Sequence, residues 1–379
     1  MKKLFALLAA GFALVQPFFA AEEKPNAPEA APKPAEKLWY EKIKVGADFR
    51  LRHEYIDDKT KAPGAETRSR SRIRARVTAT GKVSDDSELV MRFATGTTTD
   101  PTSTNQTLGD NFAAKPFNLD LAYLKSKLND SLTFYGGKIK NPYVVPGESE
   151  LIWDGDLNPE GAALQWQLST FFLNAGAYWA LERSAAADAS LVGMQTGFQF
   201  KPGQSTVTAG VGLFDFGAVQ NRAALSTANA AANYLGNSST GAAAALKYKY
   251  DYQLSEFFAE WKFWAGSFPL ALYLDYVKNG DPGTDETGWL CGVGFGKANL
   301  KGTWETILNY RRVEKDAVLA AFTDSDFIGG GTDGKGLEFQ FGYMFTDKFK
   351  GAIDYFDNSK VLAASKDYRR AMFDLSFKI

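Results

Sequence analysis

The chain has 379 residues, a formal net charge of −1 and a mean hydropathy of −0.26. That balance excludes a generally basic nucleic-acid binder. Beyond the N-terminal leader no apolar run of about eighteen residues remains, which excludes a transmembrane helix, though 14% aromatic residues and 35 glycines still suit a membrane barrel, whose alternating strands leave hydropathy unremarkable.

Residues 1–21 read as a secretory signal. Lys2 and Lys3 precede the apolar run Leu4 to Val15, and Ala20 or Ala21 marks the cleavage point. No cysteine adjoins it, so lipoprotein processing is not expected. Residues 22–40 open with a Pro-, Ala- and Glu-rich stretch that reads as a flexible periplasmic linker. Trp39 and Tyr40 then stand where an interfacial aromatic belt would want them. Residues 41–379 form the remaining domain.

From Ile43 the side chains alternate. Val45, Ala47, Phe49 and Leu51 share one face of a strand; Lys44, Asp48, Arg50 and Arg52 share the other. A loop leads to the most distinctive stretch, where Arg68, Arg70, Arg72, Arg74 and Arg76 occupy every second position and Ile73, Ala75 and Val77 fall between them. The five arginines span about 27 Å of one strand face. Facing lipid near a bilayer midplane would cost about 2–4 kcal/mol for each, so the row must face a lumen. A hairpin symmetric about residue 62 puts Arg50 beside Arg74 and Arg52 beside Arg72, with Asp48 near Arg76 and Glu54 near Arg70. Arg92 stands alone on the polar face of a third strand.

Further along, long connections near 97–116, 141–160, 217–251 and 312–335 take turns with short ones at 129–131, 169–170, 201–204, 297–300 and 346–348. Two strands within 244–265 would make seventeen in all and put 312–335 on the short side. One strand from Tyr252 to Ala265 restores an even count and the alternation. The expectation is therefore all-β: a transmembrane up-and-down antiparallel barrel of 16 strands, short periplasmic turns and long external loops. Residues 222–250 become an external loop with a helical turn. The final strand, Tyr368 to Ile379, ends on isoleucine where such barrels usually carry an aromatic.

The stretches Gly46–Arg52, Arg68–Arg76, Met91–Gly96, Thr102–Gly109, Gly137–Tyr143, Trp153–Gly161 and Asp275–Asn279, in that order, resemble the putative porin family of Gram-negative outer membranes. The resemblance implies passive diffusion of small solutes by a homotrimer in the cell outer membrane, in contact with outer-membrane lipids and lipopolysaccharide. It supplies no substrate.

No enzyme is expected. His53, the single histidine, shares parity with Phe49, Leu51 and Tyr55, the lipid-facing set, where an imidazole has no catalytic partner. Asp154-Gly155-Asp156-Leu157-Asn158 partly resembles a calcium loop, but Pro159 stands where the pattern needs glycine and Gln165 where it needs glutamate. No metal or cofactor is assigned. Cys291 has no internal partner and reads as packing.

The expected channel lining is Arg50, Arg52, Arg68, Arg70, Arg72, Arg74, Arg76 and Arg92, giving a preference for anionic solutes; the other reading of the row is a salt-bridged, purely structural wall. The third external loop, 141–160, carries Glu148, Glu150, Asp154, Asp156 and Glu160; it is expected either to fold inward as a constriction facing the arginines or to lie over the mouth with its acids solvated or bound to divalent cations. The alternative is a closed structural or adhesive barrel whose external loops mediate interactions.

Overall fold

A strand whose alternate residues are apolar can lie between lipid and water, and sixteen such strands here close on themselves. The computed structural model describes residues 38–225, 234–242, 245–361 and 365–379. The ring runs through β1 (Ile43–Asp58), β2 (Thr67–Lys82), β3 (Ser87–Thr95), β5 (Phe117–Lys127), β6 (Leu132–Lys138), β7 (Glu160–Leu168), β8 (Phe171–Leu181), β9 (Ala189–Phe200) and β10 (Thr206–Gly217). It continues through β13 (Tyr252–Ala265), β14 (Phe268–Asn279), β15 (Thr287–Gly296), β16 (Trp304–Val313), β17 (Gly334–Thr346), β18 (Phe349–Lys360) and β19 (Lys366–Lys378). Three two-residue strands lie outside it: β4 (Gln106–Thr107), which adds to β2, and the hairpin of β11 (Ser239–Thr240) with β12 (Lys247–Tyr248).

All ring pairings are antiparallel, and β19 closes on β1 from Asp48↔Lys378 to Asp58↔Tyr368. Closure leaves no ring edge, which is what a lipid-embedded sheet requires. The first hairpin has the register read from its symmetry: Arg50↔Arg74, Arg52↔Arg72, Asp48↔Arg76 and Glu54↔Arg70. Parity holds along the first hairpin, and elsewhere the register shifts only between Arg92 and Phe93, Trp179 and Leu181, and Met344 and Thr346 among the described residues. Phe49, Leu51 and Tyr55 are exposed outward while Arg52 and Glu54, at 4% and 0% exposure, are buried inward. His53 keeps its outward place, its ring nitrogens 3.0 and 3.2 Å from the hydroxyls of Ser71 and Ser69. Cys291 is exposed on the outward parity of β15.

Connections alternate as the spacing predicts. The turns 83–86, 128–131, 169–170, 201–205, 266–267, 297–303 and 347–348 share one end with both strand termini. Aromatic pairs gather there, among them Trp261–Phe263 with centroids 4.3 Å apart, Phe171–Phe198 at 5.7 Å and Phe349–Phe377 stacked at 4.4 Å. Rings that are apolar in body and tolerant of water at their edges suit a bilayer interface.

The opposite end carries eight loops, of which L2 (96–116), L3 (139–159), L5 (218–251) and L7 (314–333) are long. One loop does more than its place at the outer end requires. The last of them, expected outside, folds into the barrel: Val318, Leu319, Ala320, Phe327, Ile328 and Asp324 are all buried. Its apolar run would otherwise face water, and the lumen has a wall to receive it. The helical turn expected in 222–250 falls largely on residues outside those described; the described part of L5 holds Tyr234 edge-to-face on Tyr248 at 4.6 Å.

The topology predicts that a tag inserted after Gly283, in the loop 280–286, is reached by antibody on intact cells. A tag at Lys348 is reached only after the envelope is opened. The reverse pattern of labelling would invert the barrel.

Candidate functional site

The arginine row faces inward as a ladder, and closure of the ring supplies much of its counter-charge. Asp48 on β1 accepts from Arg76 Nε at 2.9 Å and from Arg74 at 3.4 Å. Glu54, fully buried, pairs with Arg70 at 3.0 Å, Arg72 at 3.4 Å and, from the last strand, Arg370 at 2.6 Å. Arg52 donates a two-pronged pair of hydrogen bonds to Asp374, 2.8 and 2.7 Å, the planar fork meeting a planar carboxylate. Arg50 stands 3.5 Å from the same carboxylate. Arg92 pairs with Asp120 on β5. The Arg68 side chain makes no ion pair or hydrogen bond among the described residues.

L3 crosses the lumen because it has an anchor on the far wall. Its turn, Pro146–Glu148, places Gly147 at φ 62°, against Tyr273 of β14; a Cβ there would lie 2.5 Å from the ring. Gly147 N–H donates to Glu260 at 2.8 Å, and Gln195 of β9 exchanges two hydrogen bonds with the Val144 backbone, 2.7 and 2.9 Å. Trp153 packs edge-on to Phe214 at 5.0 Å and near-parallel to Tyr143 at 5.9 Å. These apolar contacts hold one side of the loop and leave its acids for the other.

On the return, Asp156 comes to 3.6 Å from Arg76 and 3.9 Å from Arg74, while Thr104 of L2 donates to it from backbone and hydroxyl at 3.1 and 2.9 Å. A cavity of about 400 Å³ separates the two sides, lined by Arg50, Arg52, Arg74 and Arg76 and, from L3, by Glu148, Glu150, Asp154 and Asp156. Glu160 is not part of this group. It opens strand β7, lies exposed, and pairs with Lys138 at 2.7 Å. Its position directly after Pro159, with β6 waiting to pair, ends the loop one residue early.

The partial calcium-loop pattern does not converge. Asp154 accepts from the Asp156 and Ser325 backbones, Asp156 turns to Thr104 and the arginines, and the Asn158 amide donates to Asp120. A different trio, Glu150, Asp154 and Asp324, brings carboxylate oxygens within 4.8 Å of one another. Gly155 N–H, Ser325 N–H and Arg311 already serve them.

L7 is the part the sequence reading missed. Asp324 binds Arg311 of β16 at 2.7 Å, and Phe327 lies under the same guanidinium at 4.6 Å. Asn237 of L5 bonds to the L7 backbone at Lys315, Val318 and Ala320. Thr323 donates to the L3 carbonyls of Glu150 and Leu151. Asp326 reaches the ladder, 3.1 Å from Arg52 and 2.9 Å from Arg370. Above it lies a second cavity of about 820 Å³, lined by Arg68, Arg70, Arg72 and Arg370 with Asp58, Asp100 and Asp326 among its acids. Arg370 and Asp374 had a signal, the inward parity of the last strand. Asp326 had none.

The loop acids differ in ionisation. Burial, then repulsion from Asp154, Asp324 and Asp326, raises Glu150 well above the ordinary carboxylate range; burial, then Asp156 and Asp324, does the same to Asp154. Burial opposes ionisation of Asp156 too, but Arg74, the Thr104 backbone and Arg76 outweigh it and lower its pKa.

Three comparisons bear on this site. A model of the family described as putative porin matches residues 56–249 and 258–379. The fold is similar to the high-pH structure of Pseudomonas putida OprB, at TM-score 0.61 and 11% identity over 90% of this chain and 95% of that one. It is also similar to the in-vitro folded trimer form of the Vibrio cholerae outer membrane protein OmpT, at TM-score 0.52 and 15% identity over 89% and 99%. A triple mutant of the Rhodopseudomonas blastica porin matches at TM-score 0.50 and 10% identity over 89% and 100%. No curated protein sequence matches the chain.

A carboxyl whose folded pKa is raised holds a proton that the unfolded chain releases near pH 4. The folded loop is thereby favoured at low pH and loses that advantage as pH rises through the folded pKa. Hydrogen exchange in 148–157, corrected for intrinsic rate, should therefore quicken as pH rises above the unfolded carboxylate range, about pH 4. Glu150→Gln should flatten that rise.

Proposed function

The chain belongs to the putative porin family, and from that premise we propose that it forms a water-filled channel for small hydrophilic solutes, with a preference for anions. Membership carries the coarse reading, an outer-membrane barrel that solutes cross by passive diffusion. The observation that carries the finer one is the ladder: guanidiniums from Arg68 to Arg76 line both the outer cavity and the constriction. Arginine keeps its charge at every working pH and its fork suits carboxylate and phosphate.

Opposing acids line the constriction, so charge balance decides the sign. Of the L3 carboxylates, Glu150 and Asp154 hold their protons further up the pH scale, and Asp156 is engaged by Arg74 and Arg76. On this reading the ladder sets the sign of the field a passing ion meets, against the remaining acids of the cavity, Glu148, Asp326, Glu338 and Asp354, while the outer cavity concentrates anions at its entrance. The remaining opposed charges set a transverse field that orients dipolar solutes. Export through the 1–21 leader, contact with lipopolysaccharide and assembly as a homotrimer complete the reading; the trimer form of OmpT supports the last.

One observation favours the alternative, a closed barrel acting through its loops. Both L3 and L7 enter the lumen, and the space between L3 and the ladder is only about 400 Å³. Conductance steps in planar bilayers separate the two. A purified barrel that inserts and gives no steps would end the channel reading.

Zero-current potentials across a salt gradient should show anion preference, and neutralising Arg72→Gln together with Arg74→Gln should reduce it. Cation preference in the parent protein would count decisively against the proposed sign. Removing part of L3 between Val145 and Ile152 should raise single-channel conductance and the solute cut-off. Unchanged conductance would mean that L3 does not set the constriction.

A further inference from the structure

We propose that Asp326 is a tethered stand-in ligand: its carboxylate occupies a binding site for solute carboxylates, formed by Arg52 and Arg370, at the boundary between the two cavities. The inference rests on reading the ladder as the solute path. It adds a saturable site and names the protein's own competitor for it.

Position comes first. Among the described residues, Asp326 is the one carboxylate that lines both the outer cavity and the constriction. A solute moving from Arg68, Arg70 and Arg72 towards Arg50 and Arg74 passes this point. The acids that hold the ladder from the wall, Asp48, Glu54 and Asp374, belong to its own or adjacent strands and move with it. Asp326 belongs to L7 and comes to the ladder from the lumen.

The quality of its contacts comes second. Arg52 spends its fork on Asp374 and gives Asp326 one hydrogen bond of 3.1 Å. Arg370 Nη2 is 2.9 Å from Asp326 and 2.6 Å from Glu54, yet neither carboxylate meets it in hydrogen-bonding geometry, and its Nε is also without an acceptor. Arg370 is 2% exposed, so these are buried donors that Asp326 satisfies only in part. Nε of Arg50, Arg72 and Arg74, on neighbouring rungs, likewise lacks an acceptor. A free carboxylate can choose its angle on the Arg370 fork; one attached to a loop cannot. Such charge-assisted, two-pronged bonds are the strong ones.

The loop can also spare this side chain. Asp324 holds Arg311 and accepts from the backbone N–H of Asp326 and Phe327 at 2.7 and 3.1 Å. With Asn237 and Thr323 anchoring the rest, the Asp326 carboxylate can swing aside while L7 stays in place. An arriving carboxylate displaces it, moves on to the Arg50–Arg74 rung, and Asp326 returns. Charge at the site is the same before and after, so no buried guanidinium is left bare during the exchange.

The test uses the full-length protein in detergent, with succinate as probe and calorimetry as readout. A site occupied by its own competitor about nine-tenths of the time shows an apparent affinity reduced about tenfold. Asp326→Asn, which keeps the shape and removes the charge, should bind succinate about tenfold more tightly than the parent. Equal or weaker binding in D326N overturns the proposal. Asp326→Glu keeps the charge on a longer arm that reaches the Arg370 fork, and should bind succinate more weakly than the parent; equal or tighter binding overturns it independently, should D326N fail to assemble. Asp357→Asn, on an exposed pair with Arg369 outside the lumen, should leave binding unchanged. Calorimetry does not need conduction. A barrel that gives no steps but tightens on succinate in D326N loses the diffusion reading and keeps the site. A conducting, anion-preferring barrel in which D326N equals the parent does the reverse.

Discussion

Every backbone N–H and C=O in a bilayer must find its partner within the protein, and that one constraint generates most of what is seen here. It forces the sheet to close, and closure sets the last strand against the first. Period-two alternation then gives half of each strand to lipid, so the charge has only the lumen to occupy. Arg370 and Asp374 come to lie beside Arg50 and Arg52 because the ring shuts, not because the chain brings them near: the Arg52–Asp374 pair spans 322 residues of sequence. The ladder is a product of topology. Stripping one partner from a buried ion pair costs about 3–5 kcal/mol, so a row of arginines on an inner wall obliges the neighbouring strands to carry acids. Asp48, Glu54, Asp120 and Asp374 are those acids.

Two loops then complete the lumen by different means. L3 fixes itself to the wall of β9, β13 and β14 through Gln195, Glu260 and the Tyr273 ring, with Trp153 packed on Phe214. Its acids are left to point across the gap. L7 brings an apolar run, Val318 to Ala321, that needs burial, and holds it with the Asn237 hydrogen bonds and the Arg311–Asp324 pair. Thr323 ties one loop to the other at the Glu150 and Leu151 carbonyls. Movement of either loop therefore strains the other, and the charge state of Glu150 and Asp154 bears on both.

What was legible in the sequence was what depends on near neighbours. Strand parity repeats every two residues, and hairpin register follows from symmetry about a turn, so the Arg50–Arg74 and Asp48–Arg76 neighbours could be read directly from spacing. The single strand Tyr252–Ala265 followed from counting, because an even ring admits one strand there and not two. Contacts made across the lumen were a different matter. Asp326 meets Arg52 across 274 residues, and no periodicity encodes which loop turns inward. A hint was present in L7: five successive apolar residues in a supposedly external loop, Val318 to Phe322, are poorly suited to water. Glu160 was misplaced by the same limit, since only the pairing of β7 with β6 decides where a loop stops.

Opposite charges at close range usually collapse onto one another, and a constriction built from them would shut. Here each side is held back by its own attachments. Asp156 pairs with Arg74 and Arg76 at only 3.9 and 3.6 Å, because Thr104 also holds it at 2.9 Å. Arg52 is turned to Asp374 along the wall, and Arg76 to Asp48, so each fork is spent partly on its own strand or the next. Lysine could not do this, because a point charge on a free stem would follow the nearest acid, whereas the planar fork fixes its direction by the bonds it makes. The result is a gap that Asp156 bridges, while Glu148, Glu150 and Asp154 face the ladder without pairing with it among the described residues. The field across it persists because geometry, and not distance alone, prevents its neutralisation.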